Sequence, residues 1–254
     1  MTSTVNQDMF PEWEPFAAAV RDRRPDAGTW CEAWTVRDIV VHQTGNAEEL
    51  ARVLGAHLAG DPVATRGFAE REPPFRALTD DELWSALTDR MAALAEVAEA
   101  AQDASPEMEV GWTGRTMEAS WFAEHMREEL VLHGWDVTGD DAAAQARLSE
   151  PWMTDHSVYA VGVPLLAKGA EQLGDTEALE ARLRVAGRDD IRLTARAGET
   201  AIKLVPADGD ATLETDAAAR VLLLWGRRPA DPSRICSTAG PRTLGRLRRL
   251  LSGY

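Results

Sequence analysis

Apolar and polar positions follow two different periods along this chain. Through roughly the first two thirds they repeat at helical spacing. Phe10, Trp13, Phe16 and Val20 share one stripe, which predicts a helix from about Met9 to Arg21. "RRPDAG" interrupts that stripe with proline and glycine. "TVRD" predicts the next start, with Thr35 as the N-cap and Asp38, three residues on, completing a capping box. This second helix runs on through Ile39, His42, Leu50, Val53 and Leu54. "AGDPVATRGFAEREPPF" reads as a long loop. A third helix is expected from about Asp80 to Ala101, with Leu83, Leu87, Met91, Leu94 and Val97 on one stripe. "DASPEMEVGWTGR" reads as another loop, and a fourth helix then carries Phe122, Met126, Leu130 and Val137. A fifth, roughly Trp152 to Leu173, is expected to link two domains, with "LGDTEAL" marking a boundary near residue 175.

Beyond that point the period shortens. "ARLRVAG", "DIRLTARAG", "TAIKLVPA" and "ATLETD" alternate apolar and polar residues between glycines and aspartates, the signature of strands. "AAARVLLLWG" reads as a helix ending at Gly226, and "PRTLGRLRRLLSG" as a last amphipathic helix. The expected class is therefore α+β. Residues 1–175 form a four-helix bundle with a linker helix, and residues 176–254 form a small α+β domain. The length of 254 residues fits two such domains better than one bundle.

Composition narrows the function. The net charge of −15 argues against general nucleic-acid binding, which needs basic surface. No apolar run approaches the roughly 18 residues of a membrane span, and "MTSTVNQDMFPEWEPF" has no secretory pattern. The two cysteines, Cys31 and Cys236, match no paired motif, and the expected location is the cytoplasm. From Arg220 onward the chain carries eight arginines against one acid, Asp231. They form either a solvated basic face or a hold for an anionic substrate. Lys168 and Lys203 are the only lysines, and arginine and alanine are abundant, as in a GC-rich bacterial genome such as that of actinobacteria.

The chemistry lies in "HMREELVLHGWDV". An α-helix turns every 3.6 residues or so, which puts His125, Glu129 and His133 on one face with Met126 and Leu130 beside them. An otherwise apolar face points inward, and buried imidazoles and carboxylates need partners or a metal. Glu129 and His133 form a two-ligand clamp, and His42 on the second helix is a third candidate. Two histidines and one carboxylate with an open position is a catalytic zinc pattern. Asp136, three residues after His133, suits the role of orienting its second ring nitrogen. His125 remains open as a fourth ligand, a base, a substrate contact or a packed side chain. His57 and His156 read as ordinary. Of the nine tryptophans, Trp34, Trp112, Trp121 and Trp135 flank the motif, as core or as the lining of an organic-substrate cavity. Nucleotide-binding and nucleophile-elbow motifs are absent.

"WTVRDIVVHQTGN" followed by "WTGRTMEASWFAEHMREELVLHGWDV" resembles the mycothiol-dependent maleylpyruvate isomerase family, within the DinB-like metalloenzymes. "ARVLLLWGRRP" resembles that family's small sterol-carrier-like C-terminal domain. The resemblance implies a DinB-like bundle and a divalent metal, usually Zn2+, on His42, Glu129 and His133. It also implies mycothiol as thiol cosubstrate and a small electrophile as partner. The metal would hold the thiol as its thiolate. The family's functional arginine maps to Arg227, with Arg228 close behind. Many relatives carry arginine one turn before the glutamate, where this chain has His125, a departure at the substrate end of the site. The expected activity is S-transfer or maleylpyruvate-type cis–trans isomerisation, by a monomer or homodimer. The alternative is a non-catalytic metal- or ligand-binding regulator that keeps the bundle.

Overall fold

The computed structural model describes residues 4–173, 178–196 and 198–252. The chain divides into two compact units, residues 1–138 and 139–254. The boundary expected near residue 175 falls among residues 174–177, outside those described. The division at 138/139 instead groups the expected linker helix with the sheet.

The first unit contains four main helices: α1 (Trp13–Arg21), α2 (Val36–Leu58), α5 (Asp80–Ala104) and α6 (Ser120–Thr138). Helix α2 starts as its sequence requires. Thr35 accepts a bond from the Asp38 backbone N–H, and the Asp38 side chain accepts from Thr35 N. Thr79 and Glu82 cap α5 in the same way, and Asp80, Asp81 and Glu82 place negative charge at the helix's positive end. Helix α2 packs along α5, while α6 is in contact with α1, α2 and α5. Phe16, Ile39, Leu50, Leu54, Leu87, Met91, Leu94, Phe122 and Met126 fill the interior.

Two expected loops carry structure. The first contains the one-turn helices α3 (Phe68–Arg71) and α4 (Pro73–Arg76), the latter opening on the proline that suits a first helical turn. The second contains a hairpin, β1 (Glu109–Trp112) with β2 (Arg115–Glu118). Its two-residue turn, Thr113 and Gly114, has φ of 47° and 82°. Both values lie in the left-handed region that a tight hairpin turn demands.

The second unit opens with α7 (Ala142–Leu148) and α8 (Pro151–His156). A π-helical turn (Ser157–Val161) then leads into α9 (Gly162–Leu173). The expected single helix from Trp152 is therefore interrupted, and α7 is additional. Strands β3 (Leu179–Val185), β4 (Asp190–Arg196), β5 (Glu199–Val205) and β6 (Leu213–Thr215) match the four alternating segments. Helix α10 (Ala217–Leu224), a short β7 (Ile235–Cys236) and α11 (Pro241–Leu250) complete the unit. The sheet order is β5-β4-β3-β6-β7, and among the described residues only β3 and β6 pair in parallel. Helices α9 and α11 pack closely enough that a methyl group on Gly169 would stand 1.9 Å from the Leu250 carbonyl oxygen. This helical bundle followed by a sheet-based unit is the α+β arrangement expected from the two periods.

Candidate metal centre

Helix α6 buries the face that its sequence pairs with apolar residues. His125, Glu129, His133 and Asp136 are all buried with Phe122, Met126, Leu130 and Val137. Helix α2 brings a matching polar stripe: His42, Gln43, Asn46 and Glu49 are buried on it as well. Between the two helices, His42, Glu129 and His133 each present one ligand atom, and the three atoms lie within 4.8 Å of one another. His42 Nε2 is 3.5 Å from Glu129 Oε2, and His133 Nε2 is 3.2 Å from the same oxygen.

Each imidazole is held from behind by a carboxylate. His42 Nδ1 is 3.0 Å from Glu72 Oε1, and Glu72 also takes a 2.8 Å bond from Arg76. His133 Nδ1 is 2.8 Å from Asp136 Oδ2, near enough for an ion pair, although the ring N–H is poorly aligned with that oxygen. Asn46 completes the network. Arg71 Nη2 donates to its Oδ1, which leaves Nδ2 as the donor facing the site. That nitrogen is 3.0 Å from His42 Nε2 and 3.1 Å from Glu129 Oε2. His42 Nε2 therefore accepts from Asn46, and its Nδ1 proton goes to Glu72. Gln43 Nε2 donates to the Glu129 carbonyl at 3.3 Å, tying α2 to α6.

The electrostatics follow from this geometry. Burial pushes the Glu129 carboxyl up, but its contacts with His133 and His42 outweigh that and hold the group well below the usual carboxylate range. Burial pulls His133 down, but Asp136 and Glu129 on either side raise it above an ordinary histidine. Asp136 and Glu129 thus favour the protonated form of His133.

The donor set fits a divalent metal. Zinc bonds of about 2.0–2.1 Å in a tetrahedron put ligand atoms roughly 3.3 Å apart, close to the 3.2 and 3.5 Å measured between Glu129 Oε2 and the two imidazoles. Two ring nitrogens face inward while their partners are braced by carboxylates, as metal-ligating histidines require. A second atom of Glu129 faces His125, whose Nε2 is 3.9 Å from Oε1.

Aromatic rings line this cluster. Trp34 stacks on His133 with centroids 5.7 Å apart and 6° between planes, and lies 5.0 Å from His42. Phe68 meets His42 edge-on at 5.0 Å and is 56% exposed. Trp112 meets His125 at 5.9 Å, and Trp135 is core. The α2 stripe makes Asn46 legible in the sequence, four residues after His42. Arg71 and Glu72 carry no such signal, since they lie in a segment that reads as loop.

Arg227 belongs to the second unit. It follows Gly226, whose φ of 68° ends α10 as expected. Its backbone N–H bonds Leu222 O at 2.8 Å and its Nη1 bonds Trp225 O at 3.1 Å, while Arg228 is exposed. Among the described residues, no helix is long and apolar enough to cross a membrane.

Residues 8–138 match the family described as the mycothiol maleylpyruvate isomerase N-terminal domain. Two solved structures share the fold across 91% of this chain and 90% of their own. One is a crystal structure of mycothiol-dependent maleylpyruvate isomerase, at a TM-score of 0.61 and 14% identity. The other is that of a histidine-to-alanine mutant of mycothiol-dependent maleylpyruvate isomerase, at a TM-score of 0.60 and 13% identity. None of the curated proteins matches.

Proposed function

The chain belongs to the mycothiol maleylpyruvate isomerase N-terminal domain family, and from that premise we propose that it is a metal-dependent enzyme acting with mycothiol on a small electrophile. The reaction is S-transfer or a maleylpyruvate-type cis–trans isomerisation. The observation that carries this reading is the convergence of His42 Nε2, Glu129 Oε2 and His133 Nε2, each imidazole braced on a carboxylate. A bound divalent metal, most simply Zn2+, supplies a Lewis-acid position at which a thiol is stabilised as thiolate at neutral pH.

The residues of the chain do the rest. Glu72 keeps the proton of His42 on Nδ1, so that the Nε2 lone pair faces the ligand cluster. Asp136 fixes His133 from its far side. Asn46 donates to Glu129 Oε2 and holds that carboxylate in one orientation. Trp34 and Phe68 provide apolar surface beside the ligands and limit water there. His125, 3.9 Å from the second Glu129 oxygen, is the group in this unit placed to take up or return a proton. Arg227 is assigned the family's arginine role, contact with the cosubstrate or the substrate. The setting in which mycothiol meets the chain is the cytoplasm.

The test is turnover by the zinc-loaded chain with mycothiol and a panel of activated alkenes and epoxides, read by mass. A new thioether mass marks S-transfer. An isomerised product of unchanged mass marks the isomerase. A chain that holds one equivalent of zinc yet converts none of the panel with mycothiol contradicts the reading.

A further inference from the structure

Strand β5 (Glu199–Val205) ends the sheet, with β4 as its one neighbour among the described residues. An open strand edge is a template for another strand, and a lysine placed on it normally discourages one. Lys203 stands on this edge, exposed on the same face as Glu199 and Ala201, while Ile202 faces the other way and is buried. Its surroundings are cationic. Lys203 lies directly opposite Arg192 of β4, and Arg192 opposite Arg182 of β3. Like charges directly opposite one another destabilise a sheet. Arg182 is answered by Asp190 and Asp208. Arg192 and Lys203 form no ion pair among the described residues, and Arg192 Nε is buried without a hydrogen-bond partner. Glu199, four residues before Lys203, forms no ion pair either among the described residues.

Those charges complement one another under a two-fold axis. If β5 pairs antiparallel with its own copy about Ala201, Glu199 of each strand comes opposite Lys203 of the other, and Thr200 opposite Ile202. Both ion pairs form together, because Glu199 and Lys203 lie equally far from Ala201. The side chain on the axis is a methyl group, which lets the strands close to their usual spacing of about 4.8 Å. The row Arg182, Arg192, Lys203 then ends on an acid.

Helix α9 gives the same edge an apolar flank. It packs on β5 and on α11, and α11 packs on β3, so the side of α9 turned away from α11 overlooks the open edge. Leu165 faces α11, lining a small apolar space with Leu250 and Leu251. Val163 stands about 200° round the helix from Leu165 and is 49% exposed, and Tyr159, one turn earlier, is 54% exposed. Stable interfaces bury an apolar centre as well as matched charges, and these two side chains supply it.

We propose that this edge is the interface of a homodimer, in which β5 pairs with β5 of a second copy about Ala201, and Tyr159 and Val163 of both copies close over the joint. A chain of net charge −15 repels its own copies in general. Association therefore needs a local match of opposite charges, and Glu199 with Lys203 provides it twice. The proposal is independent of the functional reading above.

Sedimentation equilibrium of the full chain, over a range of protein and salt concentrations, tests it. A dimer is expected, loosening as salt rises. Lys203→Glu puts like charges opposite one another twice, and should raise the dissociation constant roughly 10-fold or more. Glu199→Lys should do the same. The double variant Glu199→Lys, Lys203→Glu restores both pairs with their signs exchanged, and should return the constant close to the unaltered value. Arg248→Glu makes the same change of net charge at an exposed position of α11 and should have little effect. Val163→Glu should weaken the dimer through the apolar flank. A chain that is monomeric at every concentration overturns the proposal. So does a dimer indifferent to Lys203→Glu, one weakened equally by Arg248→Glu, or one that the double variant fails to restore. Should the double variant not fold, as judged by helix content and melting temperature, a Val163→Glu chain with unaltered dimer strength overturns it as well.

Discussion

Glu72 Oε1 lies 3.0 Å from Nδ1 of His42, across a 30-residue separation in sequence. The acid comes from the turn between two one-turn helices, and the histidine from the middle of a 23-residue helix. The loop thus decides which nitrogen of His42 faces Glu129. Glu72→Gln keeps the shape but no longer favours a proton on Nδ1. Zinc affinity should drop by roughly 10- to 100-fold, the usual range for such a partner, with helix content unchanged. Chelator competition measures it, and an unaltered affinity would remove Glu72 from the site.

Asp136 should matter for the same reason on the other imidazole. Asp136→Asn is expected to weaken zinc binding by roughly 10- to 100-fold. Alanine at His42, Glu129 or His133 should lower metal content far more. Full zinc occupancy in the Glu129→Ala, His133→Ala double variant would falsify the ligand set.

The pH dependence has a defined sign. His133 is raised, so without metal its proton stabilises the fold below the ordinary histidine value, and that contribution is lost as pH rises through the raised one. Glu129 is lowered, so its contribution is present above the ordinary carboxylate value and lost as pH falls through the lowered one. The metal-free chain should therefore be most stable between these limits. Zinc needs a bare Nε2 on His133, so binding should expel a proton and tighten as pH rises toward the raised His133 value. Calorimetry in buffers of different ionisation enthalpy counts that proton. Zinc uptake with no proton released as pH rises through neutrality would contradict the raised proton affinity of His133.

Arg227→Ala should leave zinc content intact and cut turnover. Losing a charge-assisted contact of about 2 to 3 kcal/mol corresponds to roughly 30- to 150-fold. Arg228→Ala is the comparison, since that residue is exposed and should do less. Steady-state rates with mycothiol decide it, and equal losses in both variants would leave Arg227 without a special role.

Gly169→Ala tests the packing of the second unit. The added methyl would meet the Leu250 carbonyl oxygen at 1.9 Å, backbone that moves only if α9 and α11 separate. Overpacking of this kind costs about 1 to 3 kcal/mol. At roughly 2 to 4 °C per kcal/mol for a chain of this size, the melting temperature should fall by several degrees while zinc content holds. An unchanged melting temperature would mean that the two helices pack less tightly than described.

Much of this was legible in the sequence because periodicity reports burial. The α6 stripe placed His125, Glu129, His133 and Asp136 inward, and the Thr35 and Asp38 pair fixed where α2 starts. His42 could be chosen over His57 because 15 residues of one helix separate them. What stayed hidden came from segments too short to show a period. The hairpin at residues 109–118 depends on positive φ at Thr113 and Gly114, and only the glycine advertises it. Arg71 and Glu72 reach the site from single turns of helix whose apolar content is one or two residues. The break at Ser157–Val161 has no proline or interior glycine to announce it.

Helix α6 is the last element of the first unit, and Asp136 stands two residues before that unit ends. Every group named as a metal ligand or as its brace is therefore encoded upstream of residue 138. A gene carrying only that stretch would carry the whole of the proposed ligand set. Recombination at the 138/139 junction would exchange everything downstream and leave each proposed ligand and its brace in place.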